Sequence, residues 1–207
     1  MSCWVENGNH MNKDVLIYRI DSTDTIVSVS ENWSTFADAN AWGGFLRPED
    51  VVGHKLWDFI QDSETQYLYR EVFRRVRGGI SSRTIPFRCD SPSERRYLEL
   101  HIVALPDEQI EITSNILRTV PRSPISLLKA DTSISTDFVT VCSMCKKIKV
   151  SPRQWTEIEE ALADLRLFEV DEMPQLTHGL CHSCFQVAME ELGDFGTPNK
   201  AIDSNKQ

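Results

Sequence analysis

The sequence lacks the features that would place it in a membrane or outside the cell. No uninterrupted apolar run approaches the ~20 residues that a membrane-spanning helix requires. The opening residues, MSCWVENGNHMNK, lack the basic start and apolar middle of a signal peptide. We therefore expect a cytoplasmic protein without a membrane partner. In that reducing compartment, paired cysteines are more often metal ligands or catalytic groups than structural disulfides.

Positive charge is also scarce, because 22 Lys and Arg residues stand against 31 Asp and Glu residues, giving a net charge of −9. Phosphate contacts need clustered cations, so this balance argues against a general nucleic-acid binder. The exception is a basic island made of Arg70, Arg74, Arg75, Arg77, Arg83, Arg88, Arg95 and Arg96. Such an island is either a solvated face or a surface for an acidic partner.

Catalytic signatures are missing as well. The sequence contains no Walker loop, no GxSxG elbow, no kinase or cyclase signature and no H-E-x-x-H motif. We therefore expect no enzymatic activity, and any output would have to come from another chain.

The first half of the chain predicts an α+β domain. VLIYRI and TIVSVS read as a hairpin, and the small helices of ENWSTFADANA and LWDFI follow. A long helix is predicted from Ser63, which can act as its N-cap with Gln66 three residues on, to Gly78 and Gly79. RTIPFRCD, RRYLELHIVAL and EQIEITSNIL then alternate as three strands. The order predicts a five-stranded antiparallel sheet with helices on one face.

Three phrases in this half, DSTDTIVSVSENWSTFA, VVGHKLWDFI and IPFRCDSPSERRYLEL, resemble the PAS sensor domain, which would span residues 14–118. The resemblance implies pairing as a homodimer and a ligand pocket between the sheet and the small helices. Aromatic residues at these spacings are also common simply as core. The pocket residues it implies are Trp33, Phe36, Trp57, Phe59, Phe87 and Leu100.

Within that family, the sequence indicates neither flavin nor haem. The Asn-Cys-Arg-Phe-Leu-Gln motif of the flavin photoreceptor subgroup is absent, and residues 63–79 contain no histidine. His54 and His101 are the remaining candidates for haem axial ligands. Cys89 alternates with Phe87 and is predicted to be a buried apolar filler.

One side of the long helix carries Arg70, Arg74 and Arg77 at helical spacing. These three cations form a candidate basic face for a partner.

Residues 119–137, TVPRSPISLLKADTSISTD, contain two prolines and many Ser and Thr residues without periodicity, and they predict a linker. Residues 138–192 then predict a small cysteine-containing module, and residues 193–207 a flexible tail.

The module carries two C-x-x-C pairs, VCSMCKK and LCHSCF. Zinc favours four thiolates in a tetrahedron, and two such turns supply two sulfurs each. Four protein ligands leave no open position for water, so the predicted zinc site is structural rather than catalytic. Its ligands are Cys142, Cys145, Cys181 and Cys184.

The gap between the two pairs is 35 residues, longer than the roughly 15 to 20 of a usual ribbon. A helix is predicted to fill it, with Ser151 as N-cap, Pro152 in the first turn and an apolar stripe further on. The stripe consists of Trp155, Ile158, Leu162 and Leu165.

Other chemistry remains open at this site. An iron–sulfur cluster also accepts four cysteines, and spacing alone does not separate it from zinc. Each C-x-x-C could instead be a dithiol switch, although the βαβ setting typical of redox motifs is missing. His178 and His182 flank the second pair as alternative ligands or as outer neighbours.

CSMCKKIKV, QWTEIEEAL and THGLCHSC are similar to a four-cysteine segment found at the C-terminal end of many bacterial PAS-containing signalling proteins. The similarity covers about residues 140–187. Two departures are the KVSPR that replaces an acidic turn and the RLFEVDEMPQL that lengthens the stretch before the second pair. Either change could remove a partner surface while leaving the ligands intact.

Together these patterns predict a sensor or adaptor in signal transduction, in which a PAS domain perceives a small ligand, a redox state or a partner. A structural zinc module would relay the signal or dock on a signalling protein. The alternatives are a nucleic-acid-binding transcriptional regulator that uses the zinc module and the basic helix face, and a C-x-x-C thiol redox protein.

Overall fold

The computed structural model describes residues 15–39, 46–80, 82–129 and 134–193. Within these ranges, no helix has both the length and the apolar character needed to cross a membrane.

The first half of the chain folds around a five-stranded antiparallel sheet. The strand order is β2-β1-β5-β4-β3, so the first and last strands of this half lie side by side in the middle of the sheet. The α+β class and the five-stranded antiparallel sheet predicted from the sequence are confirmed. The elements are β1 (Val15–Ile20), β2 (Ile26–Val29), α1 (Trp33–Ala39), α2 (Pro48–Val51), a 3-10 helix (Leu56–Asp58), α3 (Ser63–Arg77), β3 (Ser82–Ser91), β4 (Glu94–Ala104) and β5 (Ile110–Pro121).

The helices pack on the sheet through one apolar core. Val72, Phe73 and Val76 of α3 are almost fully buried, and they join a cluster that includes Ile102 and Ile112 of the central strands. These positions recur at helical spacing on α3 and at every second residue on the strands, which is why a single core forms between them.

α3 begins one residue earlier than the sequence suggests. Asp62, not Ser63, is its N-cap, and the Asp62 carboxylate accepts hydrogen bonds from the backbone N–H groups of Glu64 and Thr65. An acidic group at this end also complements the helix dipole. At the other end, Gly79 has a φ of 111°, a conformation that glycine adopts without strain.

Replacing Asp62 with alanine is expected to lower the free energy of unfolding by about 1 kcal/mol, because two backbone N–H groups lose their acceptor. Urea unfolding followed by circular dichroism measures the change. Ser63→Ala is the matched control and should have a smaller effect; a larger loss for Ser63→Ala would place the cap where the sequence first suggested it.

The second half of the chain forms a smaller four-stranded sheet, ordered β8-β7-β6-β9. β6 and β9 run parallel, whereas the other neighbours are antiparallel. The elements are a 3-10 helix (Ser126–Leu128), β6 (Ile134–Cys142), β7 (Ile148–Ser151), β8 (Gln154–Thr156), α4 (Ile158–Asp164), β9 (Met173–Gly179) and α5 (His182–Gly193).

The helix predicted to start at Ser151 is wrong at its N-terminus. Ser151 pairs with Gln154 in a β7–β8 hairpin, and the helix α4 starts only at Ile158. Pro152 occupies the turn of that hairpin, where its fixed φ is as well suited as in the first turn of a helix. Trp155 consequently lies on a strand, while Ile158 and Leu162 are buried on α4 as expected.

The stretch 119–137, predicted as a linker, holds the end of β5, the 3-10 helix Ser126–Leu128 and the start of β6. Ile125 and Leu127 are each 5% exposed and pack in a second core with Ile148 and Ile158. The predicted tail lies outside the described residues from 194 onward.

Candidate metal centre

The two C-x-x-C turns are brought together by the only parallel pairing among the described strands. Cys142 ends β6 and pairs with Gly179, the last residue of β9. Parallel neighbours end at the same edge of a sheet, so both strands deliver their following turns to one place. Cys145 lies in the turn after β6, Cys181 immediately precedes α5, and Cys184 lies in the first turn of that helix.

The four sulfur atoms of Cys142, Cys145, Cys181 and Cys184 lie within 4.8 Å of one another. The Cys145 and Cys181 sulfurs are 3.7 Å apart. A tetrahedron with zinc–sulfur bonds of about 2.3 Å has sulfur–sulfur edges of about 3.8 Å. The cluster therefore has the donor set and the size to bind a metal ion such as zinc.

Backbone N–H groups point at two of these sulfurs. The Cys181 N–H lies 3.4 Å from the Cys142 sulfur, and the Cys184 N–H lies 3.4 Å from the Cys181 sulfur. Hydrogen bonds of this kind, at the N-terminus of α5, stabilise thiolates over thiols.

The pKa values of the cluster cysteines are shifted in opposite directions. Hydrogen bonds from the Cys145 and Cys184 thiols hold the pKa of Cys142 well below its ordinary value. The same hydrogen bonds raise the pKa of Cys145 and of Cys184. Four sulfurs this close cannot all carry charge unless a cation lies between them, which is what a metal ion supplies.

Lys146 follows the first pair at a left-handed backbone position, with a φ of 60°. Its ammonium group donates a hydrogen bond of 2.8 Å to the Ser143 carbonyl, and burial lowers its pKa. Among the described residues, His178 and His182 are not part of the cluster. His178 faces Val141 across β6 and β9, and burial lowers its pKa.

The cluster is anchored to the first half of the chain at both pairs. The Arg88 N–H, on edge strand β3, donates a 2.8 Å hydrogen bond to the carbonyl of Met144, between the first two cysteines. The Leu180 N–H, just before the second pair, donates to the Glu64 carboxylate of α3 at 3.2 Å. Leu180 itself joins the core of the first half.

Both buried cysteines join that core too. Cys142 is 0% exposed and Cys181 is 4% exposed, and they belong to the same cluster of buried side chains as Val72 and Ile102. The candidate metal centre is therefore part of the contact between the two halves of the chain.

An ion-pair network, here called the joint network, lies beside this contact. Asp90 accepts from Arg88 at 2.6 Å and from Arg122 at 3.1 Å, and its side chain is only 4% exposed. Arg88 also reaches Glu157, at the N-cap of α4, at 2.8 Å. Two further ion pairs complete the network at Glu159, one with Arg95 at 2.9 Å and one with Arg122 at 3.4 Å.

The joint network shows that part of the basic island pairs with acidic groups of the same chain. Arg88 and Arg96 are buried, so this part of the island is not a solvated face. The acidic groups that Arg88 and Arg95 meet belong to the chain itself, at Glu157 and Glu159. The partners lie 69 and 64 residues apart in the chain, so local sequence patterns do not predict these ion pairs.

The candidate basic face on α3 is also engaged within the chain. The Arg70 guanidinium lies 3.9 Å from the centre of the Trp57 ring, and Arg77 pairs with Asp24 at 2.8 Å. Arg74 remains largely exposed beside Glu71. The three cations therefore lie in different surroundings: Arg77 is partly buried in an ion pair, whereas Arg70 and Arg74 are both exposed to solvent.

Four of the six residues of the expected ligand pocket pack in the core of the first half. Trp33, Trp57 and Phe87 are partly buried against its core, and Leu100 is buried within it. Phe36 is partly buried, while Phe59 is 38% exposed and contacts the ring of His54. A cavity of about 210 Å³ lies elsewhere, between α3, β3 and α5, and none of the six lines it.

The two candidate haem ligands, His54 and His101, contact different residues. His54 packs edge-on against Phe59, and His101 exchanges a 3.2 Å hydrogen bond with Thr84 on the neighbouring strand. Cys89 is partly buried, and burial raises the pKa of its thiol.

No family model matches the chain, and no curated protein matches it. Among solved structures, a domain of an HTR-like protein from Haloarcula marismortui ATCC 43049 is similar over 51% of this chain and 99% of that one. The two sequences are 15% identical, and the TM-score is 0.34.

Proposed function

We propose that the protein is a sensor or adaptor in signal transduction, with residues 14–118 as a PAS-like sensory domain and the four-cysteine module as its relay. The resemblance of three sequence phrases to PAS domains supports the first part. The observation that carries the second is the anchoring of both cysteine pairs, through Arg88 and Glu64, to the edge strand and the long helix of the sensory domain.

The metal in this proposal is a structural zinc ion. Four thiolates saturate its coordination, so the site stabilises the module and leaves no position for a substrate. Because metal binding and folding of such sites are the same event, metal occupancy would fix the surface that α3 and β3 contact.

Output in this proposal comes from another chain. The partner is a signalling protein, and the sensory domain pairs as a homodimer. Neither the sequence motifs nor the cysteine cluster supplies a catalytic group, so we propose no enzymatic activity. Metal removal from the module then acts on partner binding rather than on turnover.

The alternatives have less support. A nucleic-acid-binding regulator needs cations available for phosphate, whereas Arg77, Arg88 and Arg95 already pair with acidic groups of the chain. A dithiol redox protein needs one separate C-x-x-C, whereas both pairs here form a single cluster.

Hydrogen–deuterium exchange on the full chain tests the relay. Removing metal with a chelator is expected to raise exchange at the Arg88 amide, because its acceptor is the Met144 carbonyl, and at the Leu180 amide, because its acceptor is the Glu64 carboxylate. Exchange in the central strands β1 and β5 should change little. Cys89→Ser, treated in the same way, is the control because it keeps all four cluster cysteines.

The opposite result would be decisive. If the module loses protection while the Arg88 amide keeps its own, the two halves are not coupled, and the module is a separate unit joined only by the chain.

A further inference from the structure

The cavity of about 210 Å³ is built by both halves of the chain. Leu68 and Val72 of α3 and Ile85 of β3 form one wall. Met144, from the first cysteine pair, and Ala188 of α5 form the other. A molecule bound here would touch the sensory domain and the cysteine module at the same time.

The walls have two kinds of chemistry. Leu68, Val72 and Ile85 are at most 8% exposed, so the inner wall is apolar and well ordered by the core. Two polar side chains, Arg83 and Ser183, also line the cavity. Apolar walls with a few convergent polar groups are typical of small-molecule sites.

We propose that this cavity binds a small amphipathic acid, with its apolar body against Leu68, Val72 and Ile85 and its carboxylate at Arg83 and Ser183. This inference rests on the proposed function, because it names the class of ligand that the sensor perceives. Arg83 already takes part in another interaction, but a guanidinium has five N–H donors and can serve a carboxylate as well.

The size of the cavity limits the ligand. An apolar cavity of about 150 Å³ holds benzene, with its six carbon atoms. A cavity of about 210 Å³ therefore fits an acid of about eight non-hydrogen atoms, such as a six-carbon fatty acid.

The cavity lies next to the candidate metal centre, so a bound ligand can affect that centre. Cys184, a member of the sulfur cluster, lines the cavity together with Met144. A ligand that prefers the assembled wall stabilises the contact between the two halves by mass action. The acid and the metal would therefore favour the same arrangement of α3, β3 and α5.

Methyl carbon–proton NMR on the zinc-loaded full chain tests the site, with hexanoate as the probe and 1-hexanol as its neutral counterpart. Hexanoate should shift the methyl signals of Val72, Ile85 and Val187, which all line the cavity, in a saturable way. Hexanol should bind about tenfold more weakly, because it lacks the charge that Arg83 contacts.

Two matched variants separate the acid-binding role from general charge. Arg83→Gln should weaken hexanoate binding about tenfold, whereas Arg74→Gln, on the exposed side of α3, should change it less than about twofold. Ala188→Leu should fill the cavity and abolish the methyl shifts.

Equal binding of hexanol and hexanoate would overturn the acid assignment, and unshifted methyl signals at saturating hexanoate would overturn the site itself. Neither result alters exchange at the Arg88 amide on metal removal, so failure of this inference and failure of the proposed relay are distinguishable.

Discussion

On the proposed zinc assignment, replacing Cys181 with serine is expected to reduce bound zinc from one ion per chain to nearly none and to unfold the cysteine module. Cys181 is 4% exposed, accepts a hydrogen bond from the Cys184 N–H and donates its own N–H to the Cys142 sulfur. A serine hydroxyl is not deprotonated at neutral pH and is a poor zinc ligand. Binding of structural zinc contributes about 10–16 kcal/mol to the folding of small zinc modules, so its loss exceeds the stability of the module.

Elemental analysis and circular dichroism of the purified variant measure the two losses. Cys89→Ser is the matched control, because Cys89 is partly buried on β3 outside the cluster and should keep one zinc per chain. A Cys181→Ser protein that is folded and retains its metal would show that the cluster is not the ligand set. A variant that stays folded but loses a thiol–disulfide exchange activity would favour the redox alternative.

Replacing Asp90 with alanine is the second change with a large expected effect, a loss of about 3–5 kcal/mol in the free energy of unfolding. Asp90 is the shared acceptor of the joint network, and its side chain is 4% exposed. Its removal takes the shared and most deeply buried carboxylate from the Arg88 and Arg122 guanidiniums, each 8% exposed, and leaves them the more exposed Glu157 and Glu159 as acidic partners. A buried charge without its partner costs far more than an exposed one.

Urea unfolding measures the Asp90→Ala effect, and Glu71→Ala provides the matched control. Glu71 pairs with Arg74, whose side chain is 66% exposed, so that loss should stay within about 1 kcal/mol. A loss for Asp90→Ala no larger than for Glu71→Ala would mean that the joint network contributes nothing to holding the two halves together.

The sequence predicts the sheet of the first half well because its signal is local. Strand β4 buries every second residue along most of its length, and Ile110 and Ile112 at the start of β5 follow the same period, which is visible in the sequence. The four cysteines are predictable for a similar reason, because each C-x-x-C turn places two sulfur atoms close together through local backbone geometry. In both cases the sequence neighbours that form the pattern also form the structure.

Other features depend on partners far along the chain. β9 (Met173–Gly179) has no regular alternation of buried and exposed residues, and it forms a strand through its parallel pairing with β6. Ser151 and Pro152 satisfy helix and hairpin rules equally well, and the pairing of β7 with β8 decides between them. From the sequence alone Arg88 is expected to be a surface charge. In the fold it is buried beside Glu157, which lies 69 residues away in the chain.

The measurement that tests the central claim most directly is elemental analysis combined with X-ray absorption at the metal edge, on protein purified without added metal. The account predicts one zinc ion per chain, a colourless solution and four sulfur neighbours at about 2.3 Å. Iron with sulfide and a brown colour, or no metal with the cysteines in disulfides, would contradict it.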